Sequence, residues 1–583
     1  MTRRLTVGLV CAAALACGQP VDRPQALPAS DGRVRALADA YLAGHFDRYP
    51  EQVTVYGVPG RHHDRLLDNS LEASKAWQAK EDAWLAETRQ IDPSTIAGAS
   101  LRATYAIVRE ALEASITARV CRDELWNVSQ VTGWQIRDGY LVTIQPVGGD
   151  QARSEALARW SALAKYLDTE IANLREGLKL GYSAPKGSVR IVIDQMQSLL
   201  ATPIADSPFD SPSVRDETPA FRRQFDALVK DRINPAIARY QDFLKTTYLP
   251  VAREATAVSA NPDGAACYDA SVRAHSSLSV PAKEIHALGL QQVDGLTKEM
   301  QTIAERSFHT SDVPGLLQKL RTDRQFLFKN RADLIAYSTN ALVRAKAAAP
   351  QWFGLLPKAD VVIQPYPAFR EKNAPNEYNP PAEDGGRPGL FYISAYEAEK
   401  RSRAEAESTT FHETIPGHHF QTALALERKD IHPIGRYLFN SGYVEGWGLY
   451  AERLADEMKL YSTDLDRLGM LSSQALRASR LVVDPGLHTL GWTRRQAIDY
   501  MLTHTAESEG EVTSEVDRYI IWPGQATAYM LGMLEIRKAR DEAQGAMGSK
   551  FDIKAFHGRV LEDGGVPLTF LRAKLRAWAA GSG

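Results

Sequence analysis

The spacing of apolar residues predicts a mainly helical chain. In residues 219–250, apolar side chains recur near the 3.6-residue period of an α-helix, at Phe221, Phe225, Leu228, Ile233, Ile237, Tyr240 and Leu244. The ranges 153–180 and 282–304 follow the same period. From about residue 397 to the end the pattern is again helical. These stretches are typical of amphipathic scaffold helices.

The pattern changes between residues 358 and 396. The runs 360–366 and 389–394 are rich in branched and aromatic residues, which predicts two β-strands. The loop between them contains Pro380-Pro381 and Gly385-Gly386. We expect one small sheet, in which the strand at 389–394 offers an edge to an extended peptide and the Gly385-Gly386 loop acts as a flap.

The first residues predict export. Residues 1–17 combine a basic start with an apolar run of about 12 residues, as in a signal peptide. The end, Ala14-Leu15-Ala16-Cys17, resembles a bacterial lipobox with Ala14 in place of the usual Leu. Cys17 is therefore a candidate for lipidation, with plain cleavage as the alternative, and residues 18–30 predict a tether. We expect a periplasmic protein or outer-membrane lipoprotein of a Gram-negative-type bacterium, touching the membrane only through its anchor.

Charge and cysteine content narrow the class of protein. The 583 residues include 69 Lys and Arg against 71 Asp and Glu, a net charge of -2, which argues against a nucleic-acid partner. Two cysteines, Cys121 and Cys267, lie in the predicted folded body. In an oxidising compartment they could form a disulfide, and two buried free thiols are the alternative.

A histidine cluster carries the candidate chemistry. His412, His418 and His419 lie within eight residues, and Glu413 follows the first of them. Two imidazoles on one helix usually bind zinc when spaced four apart, beside a glutamate that acts as base. Here the fourth position is Pro416, which disfavours a regular helix. A Pro-Gly loop would bring His418 back towards His412, so we favour His418 over His419 as the second ligand.

A third zinc ligand is expected downstream. Residues 442–453 read as a helix rich in Gly and aromatic residues, with Glu445 and Glu452 two turns apart on one face. Glu445 lies 27 residues after His418, which suits a turn and a return helix. We favour Glu445 as the ligand, while Glu452 is either a rival ligand or a partner that orients an imidazole.

These residues resemble a known family. The chain resembles the bacterial domain-of-unknown-function family 885 in four ordered motifs. They lie at 412–421, at 445–452, at 484–488 (Asp-Pro-Gly-Leu-His, followed by Gly491-Trp492) and at 523–529. Residues 121–130 extend the similarity towards the N-terminus. The family is placed with zincin-like metallopeptidases, which implies a mainly helical fold with a small sheet. It also implies His412, His418 and Glu445 as ligands of one Zn²⁺, with Glu413 as base.

The motifs between 412 and 529 must converge on one site, so residues 31–583 predict a single large domain. We expect a helical N-terminal lobe at 31–290 and a metal-site lobe at 291–583 around a cleft. Candidates to stabilise the oxyanion of the reaction are Tyr529, His488 and Arg518.

The predicted function is an exported zinc-dependent peptidase acting on a peptide or small amide. The alternatives are a zinc amidase or esterase with a non-peptide substrate, and a lipoprotein that binds peptides without catalysis. A pure binder has no need of Glu413, which favours an enzyme.

Overall fold

The computed structural model describes residues 29–366, 376–381 and 387–581. The predicted signal peptide, Cys17, most of the tether and the Gly385-Gly386 flap lie outside these residues. The first helix begins at Ala29, so residues 29 and 30, assigned to the tether from sequence, belong to a helix.

The mainly helical prediction with a small sheet is confirmed. In the first half, the α-helices are Ala29–Arg48, Pro50–Tyr56, Leu71–Thr88, Ala99–Ala118, Trp134–Ile144, Asp150–Ser161, Leu163–Lys179, Lys186–Ala201, Ser211–Arg215, Pro219–Leu228, Asn234–Phe243, Gly264–Ser276, Ala282–Phe308, Val313–Thr322 and Arg331–Trp352. In the second half they are Ala406–Glu413, His418–Glu427, Ile434–Tyr437, Ser441–Glu457, Asp464–Thr489, Arg494–His504, Glu509–Ile521, Ala528–Met547, Ile553–Leu561 and Leu568–Ala579.

The periodic stretches fold as helices with interruptions. The range 153–180 is divided between the helices Asp150–Ser161 and Leu163–Lys179. In 219–250, the π-helical segments Val229–Ile233 and Leu244–Tyr248 alternate with α-helix. Apolar periodicity thus predicted these helices, but it gave no indication of the π-helical segments within them.

A large hydrophobic core runs through the described residues, with buried members from Val34 to Leu575, and smaller clusters lie beside it. The helix Ala282–Phe308 packs along Asp464–Thr489, and a Cβ added at Gly289 would lie 2.7 Å from the Leu481 side chain. The lobe boundary expected at residue 290 is therefore wrong. It falls inside a continuous helix whose apolar face packs against the predicted metal-site lobe.

The described residues form one three-stranded sheet. Strands β1 (Val361–Pro365) and β3 (Gly389–Ile393) pair in parallel, and β2 (Glu377–Asn379) pairs antiparallel with β3. The order is β1-β3-β2. The expectation that the 389–394 strand offers a free edge is wrong, because β3 is the central strand with a partner on each side.

Cys121 and Cys267 form a disulfide across 146 residues of sequence. It joins a short turn after the helix Ala99–Ala118 to the helix Gly264–Ser276. Within the described residues, no helix has both the length and the apolar character that a membrane span requires.

Candidate metal centre

The histidine motif folds as two helices separated by a turn. The first helix, Ala406–Glu413, ends directly after His412, and the second begins at His418. The Ile415-Pro416 peptide bond in the turn is cis. A Cβ at Gly417 would collide with the His412 carbonyl oxygen, so only glycine lets the chain fold back this closely.

The neighbouring helix Ser441–Glu457 holds this turn in place and supplies the third side chain. The indole Nε1 of Trp447 donates a hydrogen bond of 2.9 Å to the carbonyl oxygen of Pro416. Trp447 is fully buried, so the bond is shielded from water. Two residues earlier, Glu445 faces the histidines from the same helix.

Three candidate ligand atoms lie within 4.8 Å of one another, one each from His412, His418 and Glu445. The carboxylate Oε2 of Glu445 is 3.6 Å from His412 Nε2 and 3.4 Å from His418 Nε2. Two ligands of a tetrahedral zinc with bonds of about 2.0–2.1 Å lie about 3.3–3.4 Å apart. The donor types and their spacing therefore fit zinc.

Gly448 leaves room for the two imidazoles. A Cβ at this position would lie 2.7 Å from Nε2 of His412 and 2.9 Å from Cε1 of His418. Ordinary contacts of a Cβ begin at 3.4 Å. The glycine that follows Trp447 thus forms the back wall of the metal centre.

Glu452 contacts His412 and is outside the group of three candidate ligands. Its Oε1 lies 2.8 Å from Nδ1 of His412, and its Oε2 accepts a 2.9 Å hydrogen bond from the Ser408 hydroxyl. When Nδ1–H donates to Glu452, the lone pair of Nε2 faces His418 and Glu445. Of the two roles that the sequence leaves open for Glu452, the structure supports the orienting one.

The carboxylates make the centre favourable for positive charge. Burial disfavours protonation of His412, but its contacts with Glu445 and Glu452 outweigh burial and raise its pKa to about 9. Burial would likewise raise the pKa of Glu445, yet the two imidazoles hold that pKa well below its usual range. Such a site attracts a cation.

His419 faces away from the other two histidines. Its Nδ1 accepts a 3.1 Å hydrogen bond from the Tyr378 hydroxyl, and its Nε2 lies 3.0 Å from the carbonyl oxygen of Ala359. Burial lowers its pKa to about 4. The structure therefore brings His418, and not His419, to the candidate ligand set, while His419 links the helix His418–Glu427 to the sheet through Tyr378.

A cavity of about 440 Å³ opens over the ligands. Glu413 and Tyr529 line it, together with all three candidate ligands. Burial, followed by the charge of Glu445, raises the pKa of Tyr529, so its hydroxyl keeps its proton. The cavity therefore combines a carboxylate and a phenol donor with the metal centre.

Two candidates for oxyanion stabilisation do not line this cavity. His488 is fully buried, with Nδ1 accepting from the Val258 amide at 3.0 Å and Nε2 lying 3.0 Å from the Tyr519 carbonyl oxygen. Arg518 donates to Glu515 and Gln525. The assignment of His488 to the site is thus wrong, because backbone groups engage both of its ring nitrogens.

Several residues of the cavity wall were missed in the sequence, among them Tyr378, Arg477 and Arg480. Tyr378 comes from β2, a strand too short to stand out within a Pro- and Asn-rich loop. Arg477 and Arg480 come from the helix Asp464–Thr489. These two arginines are three residues apart, so they lie on one face of the helix. This spacing was the available indication in the sequence that they act together.

Comparison with known proteins finds a matching family model but no matching curated protein. The model of a family described as "Bacterial protein of unknown function (DUF885)" matches residues 50–575. No curated protein matches the chain significantly.

Two solved structures have a similar fold. A candidate lipoprotein from Colwellia psychrerythraea has a TM-score of 0.86 at 24% identity, covering 95% of this chain and 100% of that one. A candidate lipoprotein of unknown function from Shewanella oneidensis has a TM-score of 0.74 at 17% identity, covering 93% and 99%.

Proposed function

The chain belongs to the DUF885 family of bacterial proteins, and from its metal centre we propose that it is a zinc-dependent hydrolase that cleaves peptide bonds. One observation carries the proposal. The donor atoms of His412, His418 and Glu445 converge within 4.8 Å, and Glu413 and Tyr529 line the same cavity. Two imidazoles, one carboxylate and an adjacent glutamate are the usual set of a zinc peptidase with a zincin-like site.

His412, His418 and Glu445 would hold the zinc, which would supply a Lewis acid and lower the pKa of water in the cavity. Glu413, which lines the cavity, would accept a proton from the attacking water and pass it to the leaving amine. The hydroxyl group of Tyr529 would donate a hydrogen bond to the developing oxyanion. Glu452 would keep His412 in the tautomer whose Nε2 lone pair faces His418 and Glu445.

The sheet favours a peptide as the substrate. Within the residues that the structure describes, β2 is an edge strand in the order β1-β3-β2, and its Tyr378 lines the cavity with Glu413. An edge strand can pair with an extended peptide through backbone hydrogen bonds. This role, expected at 389–394, passes to β2.

We also propose export, with Cys17 as the lipidated residue. Both similar solved structures are described as candidate lipoproteins. The Cys121–Cys267 disulfide supports the same compartment, because disulfides persist in oxidising environments. Mass spectrometry of the mature protein from its native envelope tests this, and an unmodified N-terminus would contradict lipidation.

Adjacent histidines offer a matched test of the metal centre. We expect elemental analysis to find about one zinc per chain in the wild type and none in His418→Ala. His419→Ala, which removes an imidazole one residue away, should keep the zinc. Retention of zinc by His418→Ala would contradict the assigned ligands.

A mixed peptide library analysed by mass spectrometry tests the reaction itself. The zinc-loaded wild type should cleave peptides, whereas zinc-loaded Glu413→Gln should not. Cleavage of esters or non-peptide amides alone would favour a different hydrolase, and binding without any cleavage would favour a peptide-binding lipoprotein.

A further inference from the structure

We propose that Arg480, assisted by Arg477, forms a subsite for the free C-terminal carboxylate of a short peptide. The inference rests on the proposed function for the scissile bond, but the anion subsite has its own evidence. With this subsite the protein would act as a carboxypeptidase, which cleaves near the C-terminus of its substrate.

Arg480 faces the same cavity as the metal centre. It lies on the helix Asp464–Thr489 three residues after Arg477, and both side chains line the cavity with Glu413 and Glu445. The guanidinium carbon of Arg480 is 4.4 Å from the centre of the Tyr529 ring. The arginine therefore lies next to the phenol that is proposed to stabilise the oxyanion.

One nitrogen of Arg480 lacks a partner. Nε donates to the Tyr519 hydroxyl at 2.9 Å, and Nη2 donates to Glu515 at 2.6 Å. The side chain is only 6% exposed, yet Nη1 has no hydrogen-bond acceptor among the described residues. A buried donor without an acceptor is costly, so an acceptor supplied by a ligand accounts for this arrangement.

The arginines leave positive charge on this wall. Glu515 receives hydrogen bonds from both Arg480 and Arg518, so one carboxylate balances two guanidinium groups. Nη1 of Arg477 bonds the Ser473 hydroxyl at 2.7 Å and its carbonyl oxygen at 3.1 Å. The charges of Glu405, Glu452 and Glu507 act on Arg477 through space, but among the described residues no carboxylate forms an ion pair with it, and its buried Nε has no acceptor.

A carboxylate is the ligand that fits these donors. Guanidinium groups bind carboxylates through paired N–H donors, with strong charge assistance. The cavity of about 440 Å³ has metal ligands and arginines in its wall. A peptide residue spans about 3.3–3.6 Å, so a peptide anchored at Arg480 presents one of its last bonds to the metal centre.

The experiment compares peptides that differ only at the C-terminus. Each member of a mixed tripeptide and tetrapeptide library is prepared as the free acid and as the amide, and kcat and KM are measured with the zinc-loaded protein. We expect the wild type to prefer the acids by at least about 10-fold, and Arg480→Gln to lose about 10- to 100-fold in kcat/KM for acids, chiefly through KM. Amides should be unaffected.

Arg518→Gln is the matched control. It also removes a guanidinium from Glu515, but from outside the cavity, so it should keep the preference for acids. If Arg480→Gln does not fold, Arg477→Gln tests the same wall with the same expected direction. Equal cleavage of acids and amides by the wild type, or an unchanged preference in the folded arginine variant, would overturn the inference.

A binding measurement separates this inference from the proposed function. If the wild type cleaves no peptide, calorimetry with zinc-loaded Glu413→Gln compares the same acids and amides. Tighter binding of acids that disappears in the Glu413→Gln/Arg480→Gln double variant would support the subsite although the peptidase proposal had failed. Equal binding of both would overturn the subsite.

Discussion

Gly448→Ala should destroy the metal centre without unfolding the protein. The new Cβ would lie 2.7 Å from Nε2 of His412, 2.8 Å from its Cε1 and 2.9 Å from Cε1 of His418. Ordinary contact begins at 3.4 Å, so the imidazole of His412 must retreat by about 0.7 Å. Zinc–ligand distances tolerate only about ±0.2 Å. Moving the helix instead would carry Glu445 away, so either response separates the ligands.

We expect the zinc affinity of Gly448→Ala to fall by more than about 100-fold, beyond the usual effect of changing a residue that only orients a ligand. Competition with a chromophoric chelator measures the affinity, and thermal unfolding of the metal-free protein measures stability. In a helix interior, alanine is more favourable than glycine by up to about 1 kcal/mol of folding free energy. This gain partly offsets the cost of crowding the imidazoles.

Gly295→Ala is the control for this substitution. Gly295 also lies inside a helix, but a Cβ there meets no atom within 4 Å. It should leave zinc affinity unchanged. Wild-type zinc affinity in Gly448→Ala would refute the assignment of His412 and His418 as a ligand pair.

Three further predictions follow from the contacts around the site and in the core. His488→Asn should keep zinc and activity but lose about 1–3 kcal/mol of stability. Because burial lowers the folded pKa of His488 from 6.5 to about 4, its contribution to stability is present above pH 6.5 and is lost as pH falls towards 4. Urea unfolding at several pH values should therefore show a shallower loss in His488→Asn, and an identical slope would contradict this. Glu452→Gln should weaken zinc binding about 10- to 100-fold by chelator competition, since Glu452 orients His412, and wild-type affinity would argue against that role. Replacing Cys121 and Cys267 by Ser should lower the free energy of unfolding by about 2–5 kcal/mol, with unchanged stability arguing against the disulfide.

The convergence of the three candidate ligands could be predicted from sequence because they lie in two short motifs. Pro416 at the position of the usual second histidine indicated an interrupted helix, and the structure has a turn there. Glu445 was favoured by its spacing from His418 and its Gly-rich surroundings. The role of Gly448 was not foreseen, because it depends on how closely the helix Ser441–Glu457 approaches the imidazoles.

Features set by tertiary packing could not be predicted. His488 lies in a motif that resembles a family signature, yet its ring bonds backbone atoms that are distant in sequence. Helical periodicity does not distinguish Arg480 from the other charged positions of the helix Asp464–Thr489. The central place of β3 depended on β2, whose three residues carry too little pattern to be recognised as a strand.

The most direct test of the central claim measures zinc content and peptide cleavage in the same samples of wild type and Glu413→Gln. We predict about one zinc per chain in both proteins and cleavage of the peptide library by the wild type alone. Cleavage by zinc-loaded Glu413→Gln at the wild-type rate, or a wild type that binds no zinc, would contradict the account.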